Sequence, residues 1–213
     1  MSMPGGSAGG FADAAAHWNE RFATEDFVFG TEPNDWLREH AGSLPAGGRV
    51  LCVADGEGRN SVWLAGRGFR VEAFDIAEKG VAKARALAAR QGVHVSFHVA
   101  GVDDFAWPVG TCDAVAAIFV QFADPALRGR MFARMVDSLK PGGLLLLQGY
   151  TPGQLEHRTG GPGKLEHLYT APLLREAFSS LQVLELREYE AELAEGQGHR
   201  GRSALVGLVA RKP

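Results

Sequence analysis

Between Arg49 and Asp75 the chain reads RVLCVADGEGRNSVWLAGRGFRVEAFD, and its glycines and acids are spaced to hold a sugar. Gly56 and Gly58 come directly after an apolar run, where a chain leaving a buried strand must turn sharply. A glycine has no Cβ, so the backbone there can approach a ligand closely. The helix that follows opens with free N–H groups pointing at the same crevice. Asp75 closes a second apolar-biased segment, and an acid about 20 residues past such glycines accepts hydrogen bonds from ribose hydroxyls. The stretch predicts a ligand that contains a nucleoside; the plainer alternative is a glycine turn in an ordinary parallel sheet. Asp55 and Glu57 make the turn unusually acidic. Either they meet a positive group of the ligand, Asp55 first, or they face solvent.

General-base chemistry calls for a histidine with a pKa near neutral. Of seven histidines, His17, His40, His94 and His98 fall in helix-like or strand-like segments. His157, His167 and His199 fall in loops, where polar residues are also exposed by default. His167 and Tyr169 lie in EHLYT, and His199 lies in EGQGHRG. Gln121, between Phe119 and Phe122, is polar at the mouth of the expected crevice. The candidate catalytic residues are therefore His167, Tyr169, His199 and Gln121. Arg128, Arg130 and Arg134 read as the solvated face of an amphipathic helix. Cys52 and Cys112 sit in apolar runs and read as buried thiols. No Cys/His cluster has ligand spacing, so no metal is expected.

These residues need elements to hold them. Val50 to Ala54 reads as a buried strand, Asn60 to Ala65 as a helix and Arg70 to Phe74 as a second strand. Glu78 to Arg90 is Ala-rich and helix-favouring. Val93 to Val99 alternates and reads as a strand, and Asp113 to Val120 as a central one. Asp124-Pro125 looks like an N-cap and first helical position, and Leu127, Met131, Met135 and Leu139 mark a core face up to the stop at Lys140–Gly143. Leu144 to Leu147 is a fifth strand, Tyr150 to Lys164 a long loop and Thr170 to Ser180 a short helix. Leu181 to Glu190 and Ser203 to Arg211 read as an antiparallel pair about the turn Glu195 to Gly201. Strand–helix alternation predicts a doubly wound α/β sheet with its ligand at the carboxyl ends of the strands.

Bulk properties narrow the function classes. A chain of 213 residues, 46% hydrophobic, suits one α/β domain. The net charge of -3 offers no basic face to nucleic acid or an acidic membrane. MSMPGGSAGG lacks the regions of a signal peptide, and no apolar run is long enough to cross a membrane. The expectation is a disordered leader over residues 1–10, a cytoplasmic location and neither nucleic-acid nor membrane partners.

The motifs together point to a family. The chain resembles the class I S-adenosylmethionine-dependent methyltransferases, of the small bacterial type near the tellurite-resistance and thiopurine methyltransferases. Val50 to Asn60 matches the first motif, Asp75 the ribose-holding acid and Asp113 to Phe122 the fourth-strand motif. Lys140 to Gly143 matches the Lys-Pro-Gly-Gly turn, and Trp18 to Leu37 the segment that folds over the cofactor. The resemblance implies a Rossmann-like seven-stranded sheet, mostly parallel with a C-terminal antiparallel hairpin. It implies a single domain over residues 11–213, of which 11–42 cover the cofactor. It implies S-adenosyl-L-methionine held by Trp18, Phe29, Ala54, Asp55, Gly56, Glu57, Gly58, Asn60, Asp75, Ile76, Val102, Asp103, Ile118 and Phe119. The methyl would pass in line to a small-molecule acceptor, such as a thiol or a selenium or tellurium oxyanion, in a monomer or homodimer. Two departures stand out: Cys52 replaces an acid of the first strand and Ala54 the motif's first glycine, while Gly101 falls where an acid commonly meets adenine, with Asp103 or Asp104 just beyond.

Two rivals remain. A nicotinamide-dependent reductase would want glycine where Ser61 stands, and a Tyr-x-x-x-Lys pair; Gln154, Leu173 and Leu193 follow the three tyrosines instead. A degenerate relative would keep the fold and bind the cofactor without turnover. No Gly-Lys-Ser/Thr follows the turn, which excludes a P-loop.

Overall fold

The computed structural model of the protein describes residues 11–213, so the leader expected over 1–10 lies outside the described residues. Helices α1 (Phe11–Arg21) and α2 (Asp35–His40) precede strand β1 (Arg49–Val53). Then come α3 (Arg59–Gly66), β2 (Arg70–Asp75), α4 (Glu78–Gln91), β3 (Val95–Val99) and β4 (Cys112–Ile118). The chain continues through α5 (Pro125–Ser138), β5 (Leu139–Tyr150), α6 (Gln154–His157) and α7 (Ala171–Ala177) to β6 (Gln182–Glu195) and β7 (His199–Arg211). One sheet of seven strands runs β3-β2-β1-β4-β5-β7-β6. The first five strands are parallel, and β7 lies antiparallel between β5 and β6. Because β1 is flanked by β2 and β4, the winding reverses beside it and opens a crevice at the carboxyl ends of these strands.

A parallel strand covered on both faces must be apolar at every position. Val50, Leu51, Cys52 and Val53 obey this and are buried. Leu51 and Val53 face a core shared with Phe74, Val115, Met131 and Met135. Val50 and Cys52 face the opposite core, with Trp36, Leu37 and Leu64. Helix α5 starts where its cap dictates: the Asp124 side chain accepts from Leu127 N at 2.8 Å, and Pro125 follows. Both cysteines are buried and free. No helix among the described residues is long and apolar enough to cross a membrane.

Three expectations are corrected. Strand β3 begins at Val95, and Val99 is 46% exposed, because this strand is the sheet's edge and Val99 stands at its end. The loop Tyr150 to Lys164 contains the helical turn α6. The C-terminal hairpin is longer than its apolar pattern: β6 and β7 stay paired out to Glu195 opposite His199. The outer part of β6 is half exposed, so backbone pairing holds it with no apolar alternation to announce it.

Candidate active site

The glycine turn carries the expected backbone. Ala54, Gly56 and Gly58 have φ of 47°, 60° and 87°. Ala54 thus keeps the left-handed geometry of the glycine it replaces, although a Cβ makes that conformation strained. Gly58 is required for packing: a Cβ there would stand 2.6 Å from the Ala84 Cβ, where α3 meets α4. Asp75 is buried, with Oδ2 accepting from Gly56 N at 2.9 Å and Oδ1 from Ala77 N at 2.8 Å. A carboxylate has about four acceptor sites, so lone pairs remain for two vicinal hydroxyls. Burial pushes the Asp75 carboxyl up to about 6 against the pull of those N–H groups. Asp55, beside it, is pushed up to about 7 by burial, with Asp75 adding to it and the hydrogen bond from Ser61 opposing. Cys52 does not stand in for the missing acid, because burial raises its thiol and keeps it neutral.

The N-terminal segment is fastened onto this turn. Buried Glu57 pairs with Lys83 at 2.5 Å and accepts from Phe29 N at 3.3 Å. Lys83 also donates to Thr24 O at 3.0 Å and Asp26 O at 2.6 Å. Glu57 therefore neutralises a lysine under the cover, and Asp55 is the acid of the turn left to the crevice. Asn60 takes the backbone N–H of Asn34 at 2.9 Å. Trp18 stacks on Phe22, whose ring meets Phe29 edge-on. Ala54, Asp55, Gly56, Ile76, Ile118 and Phe119 are half-buried around the crevice.

Beyond β3 the side chains point elsewhere. Val102 is buried, and its carbonyl accepts from Trp107 Nε1 at 2.8 Å. Asp103 is exposed, with its oxygens on Arg130 at 3.1 and 2.8 Å, which hold the carboxyl below its usual range. Its place near adenine is thus taken up by α5. Arg130 and Arg134 are correspondingly paired with Asp103 rather than merely solvated.

At the ends of β4 and β5 a second cluster forms. Phe119, at φ 56°, places its ring 4.7 Å from Tyr150 and 4.3 Å from His199. Phe29 covers the imidazole at 4.4 Å. Glu195 accepts from Arg59 at 2.7 Å and from Asn34 at 2.8 Å, and lies 3.3 Å from His199 Nδ1. Of the four catalytic candidates, His199 alone joins this cluster. Gln121 braces the backbone, donating to Tyr150 O and His167 O and accepting from Tyr150 N. Tyr169 is buried in the core, with its hydroxyl on Val120 O at 3.2 Å. The His167 imidazole is half-buried, 3.9 Å from Glu166. Sequence reasoning missed Asn34, Arg59, Tyr150 and Glu195. The one available signal was the Glu-x-x-x-His spacing across the hairpin turn.

This geometry agrees with what the chain is similar to. Residues 50–143 match the family model described as a methyltransferase domain. This stretch is similar to a methyltransferase domain. Ubiquinone biosynthesis O-methyltransferase of Bordetella bronchiseptica is 36% identical over 111 residues, 51% of this chain and 44% of that relative. The chain spans less than half the length of this curated relative. Among solved structures, TehB from Haemophilus influenzae superposes with a TM-score of 0.69 at 17% identity, covering 93% of this chain and 67% of that one. The N-methyltransferase NodS from Bradyrhizobium japonicum, in complex with S-adenosyl-L-homocysteine, gives 0.69 at 16% identity over 93% and 98%. A structure from echinomycin biosynthesis, concerned with conversion of a disulfide bond into a thioacetal group, gives 0.74 at 16% identity over 93% and 92%. The residues present fit S-adenosyl-L-methionine. Asp75 has free lone pairs for the ribose, the left-handed turn at Ala54 and Gly56 opens the backbone, and Asp55 supplies negative charge for a cationic donor.

Proposed function

We propose that the protein transfers the methyl group of S-adenosyl-L-methionine to a small-molecule acceptor held at the carboxyl ends of β4 and β5. The observation that carries this is the switch-point crevice, with Asp75 and the glycine turn on one side and the aromatic cluster of Phe119, Tyr150 and His199 on the other. The bound donor supplies an electrophilic methyl on a positively charged sulfur. The chain's own task is to orient the acceptor in line and to exclude water. Phe29, Phe119 and the covering segment provide the apolar walls. Asp55 opposes the donor's positive charge. The O-methyltransferase name of the Bordetella relative supports an oxygen acceptor; tellurium and selenium oxyanions, with thiols, are the softer alternative.

Parallel calorimetric titrations with S-adenosylmethionine, S-adenosylhomocysteine and NADH test the reading. Micromolar binding of the first two without NADH is the expected result. Binding of NADH alone would overturn it in favour of a reductase.

A further inference from the structure

Resting on the methyl-transfer reading, we infer that His199 is the general base of this site and that its acceptor is a small molecule bearing a phenol-type hydroxyl. Glu195 Oε2 lies 3.3 Å from His199 Nδ1 across the hairpin tip. A carboxylate can only accept there, so Nδ1 carries the proton and Nε2 presents its lone pair. Nε2 has no hydrogen-bond partner among the described residues, yet it is not among the nitrogens sealed from solvent. The ring is clamped between Phe29 and Phe119, which fixes the direction of that lone pair beside the crevice.

The charged and titratable groups around the imidazole are Glu195 from β6, Arg59 from α3, Arg21 from α1 and Tyr150 from β5. Burial lowers the His199 pKa ahead of Glu195's opposing hydrogen bond, and Arg59 and Arg21 reinforce it. Burial also works to raise Glu195, but the hydrogen bond from His199 and the charge and hydrogen bond of Arg59 outweigh it and hold this carboxyl at about 2. At neutral pH the pair is therefore a neutral imidazole on a carboxylate, the state a base needs.

Two buried polar atoms nearby lack partners among the described residues: Arg59 Nη1 and Tyr150 Oη. A buried donor left unpaired costs about 1–3 kcal/mol, so this wall of the site carries polarity that the fold itself does not satisfy. Gly160 and Gly161 roof it, since a Cβ on either would stand 3.2 Å from Tyr150 Oη or 2.8 Å from its ring.

The base selects the acceptor class. Selenite, tellurite and thiolates are anionic as they arrive and need no proton removed. An alkanol is too weak an acid for an imidazole of lowered basicity. A phenol, with a pKa of about 10, is mostly un-ionised at neutral pH and within reach of such a base. The acceptor's O–H proton passes to His199 Nε2 as its oxygen lone pair forms the new C–O bond. The electrons of the breaking C–S bond stay on sulfur, and the imidazolium returns its proton to solvent. Glu195 is a positioning residue that fixes the tautomer.

The test uses the full chain with catechol, n-butanol and selenite as probe acceptors. Calorimetry with S-adenosylhomocysteine first separates loss of the donor site from loss of the base: affinity within threefold of the parent is expected for His199→Asn. For that variant kcat/KM with catechol falls about 100-fold or more at pH 7. Its rate then climbs with pH and converges on the parent rate where catechol ionises unaided. Nitrogen-15 imidazole spectra of the parent bound to S-adenosylhomocysteine show the Nδ1–H tautomer, and Glu195→Gln shifts that equilibrium. An Nε2–H tautomer, parallel pH profiles for parent and variant, turnover of selenite with catechol refused, or donor binding without turnover of any probe would each overturn the inference.

Discussion

Ala54 stands where a glycine would be free of strain, and its φ of 47° shows the turn imposing its shape on the wrong residue. Such a position costs about 1–2 kcal/mol for an L-residue. Ala54→Gly should therefore raise unfolding free energy by about 1 kcal/mol in urea titrations, without weakening S-adenosylhomocysteine binding. Asp75 has the opposite balance. It is buried with two backbone donors on it, so Asp75→Ala removes both the proposed ribose acceptor and the partner of Gly56 and Ala77. Affinity for S-adenosylhomocysteine should fall by about 10- to 100-fold in calorimetry, corresponding to the 1.5–3 kcal/mol of hydrogen bonds to a charged group.

At the scale of elements, the site is assembled by segments far apart in sequence. The hairpin turn is tied to the cover by Gln197 N and Gly198 N, both donating to Val28 O at 2.9 Å. Gly198 lies so close that a Cβ would meet the Phe29 ring at 2.4 Å. Gly198→Ala should push the hairpin tip away from Phe29, changing the His199 imidazole resonances while the melting temperature moves little. The other fastening is the pair Lys83–Glu57, with side chains 17% and 2% exposed. Removing one member of a buried pair leaves the other uncompensated and costs about 3 kcal/mol or more. Lys83→Met should destabilise the fold on that scale and make residues 24–34 the first site of limited proteolysis, whereas the exposed pair Arg187–Glu39 should be nearly silent.

For the whole molecule, the fold buries a charge it would be more stable without. The folded pKa of Asp55 lies near 7, above its ordinary 3.8. A carboxyl raised in this way binds its proton more tightly folded than unfolded. Its contribution is present below about pH 4 and is lost as pH climbs through 7. Asp55→Asn should therefore gain stability relative to the parent as pH rises from 4 to 7.5, by about 4 kcal/mol across the window, in paired denaturation curves. A difference that stays flat across this window would show that Asp55 is ionised throughout. Site and stability pull against each other here, since the negative charge that suits a cationic donor is costly to bury.

Much of this was legible in the chain. The runs Val50 to Ala54 and Asp113 to Val120, the Asp124-Pro125 cap, the Met131/Met135 face and the Gly56-to-Asp75 spacing each follow from local rules. Local rules also fix the mostly parallel sheet and the place of its crevice. Tertiary structure alone decided which polar residues meet. Glu57 and Asp55 look alike in sequence, yet only one turns to Lys83. Asp103 looks available for adenine, yet Arg130 takes it. Arg59, Glu195, His199 and Tyr150 lie on four elements, and their meeting depends on a hairpin held by backbone pairing rather than by an apolar pattern. Periodicity records what a residue buries, but the partner of a polar side chain is set by the path of the rest of the chain.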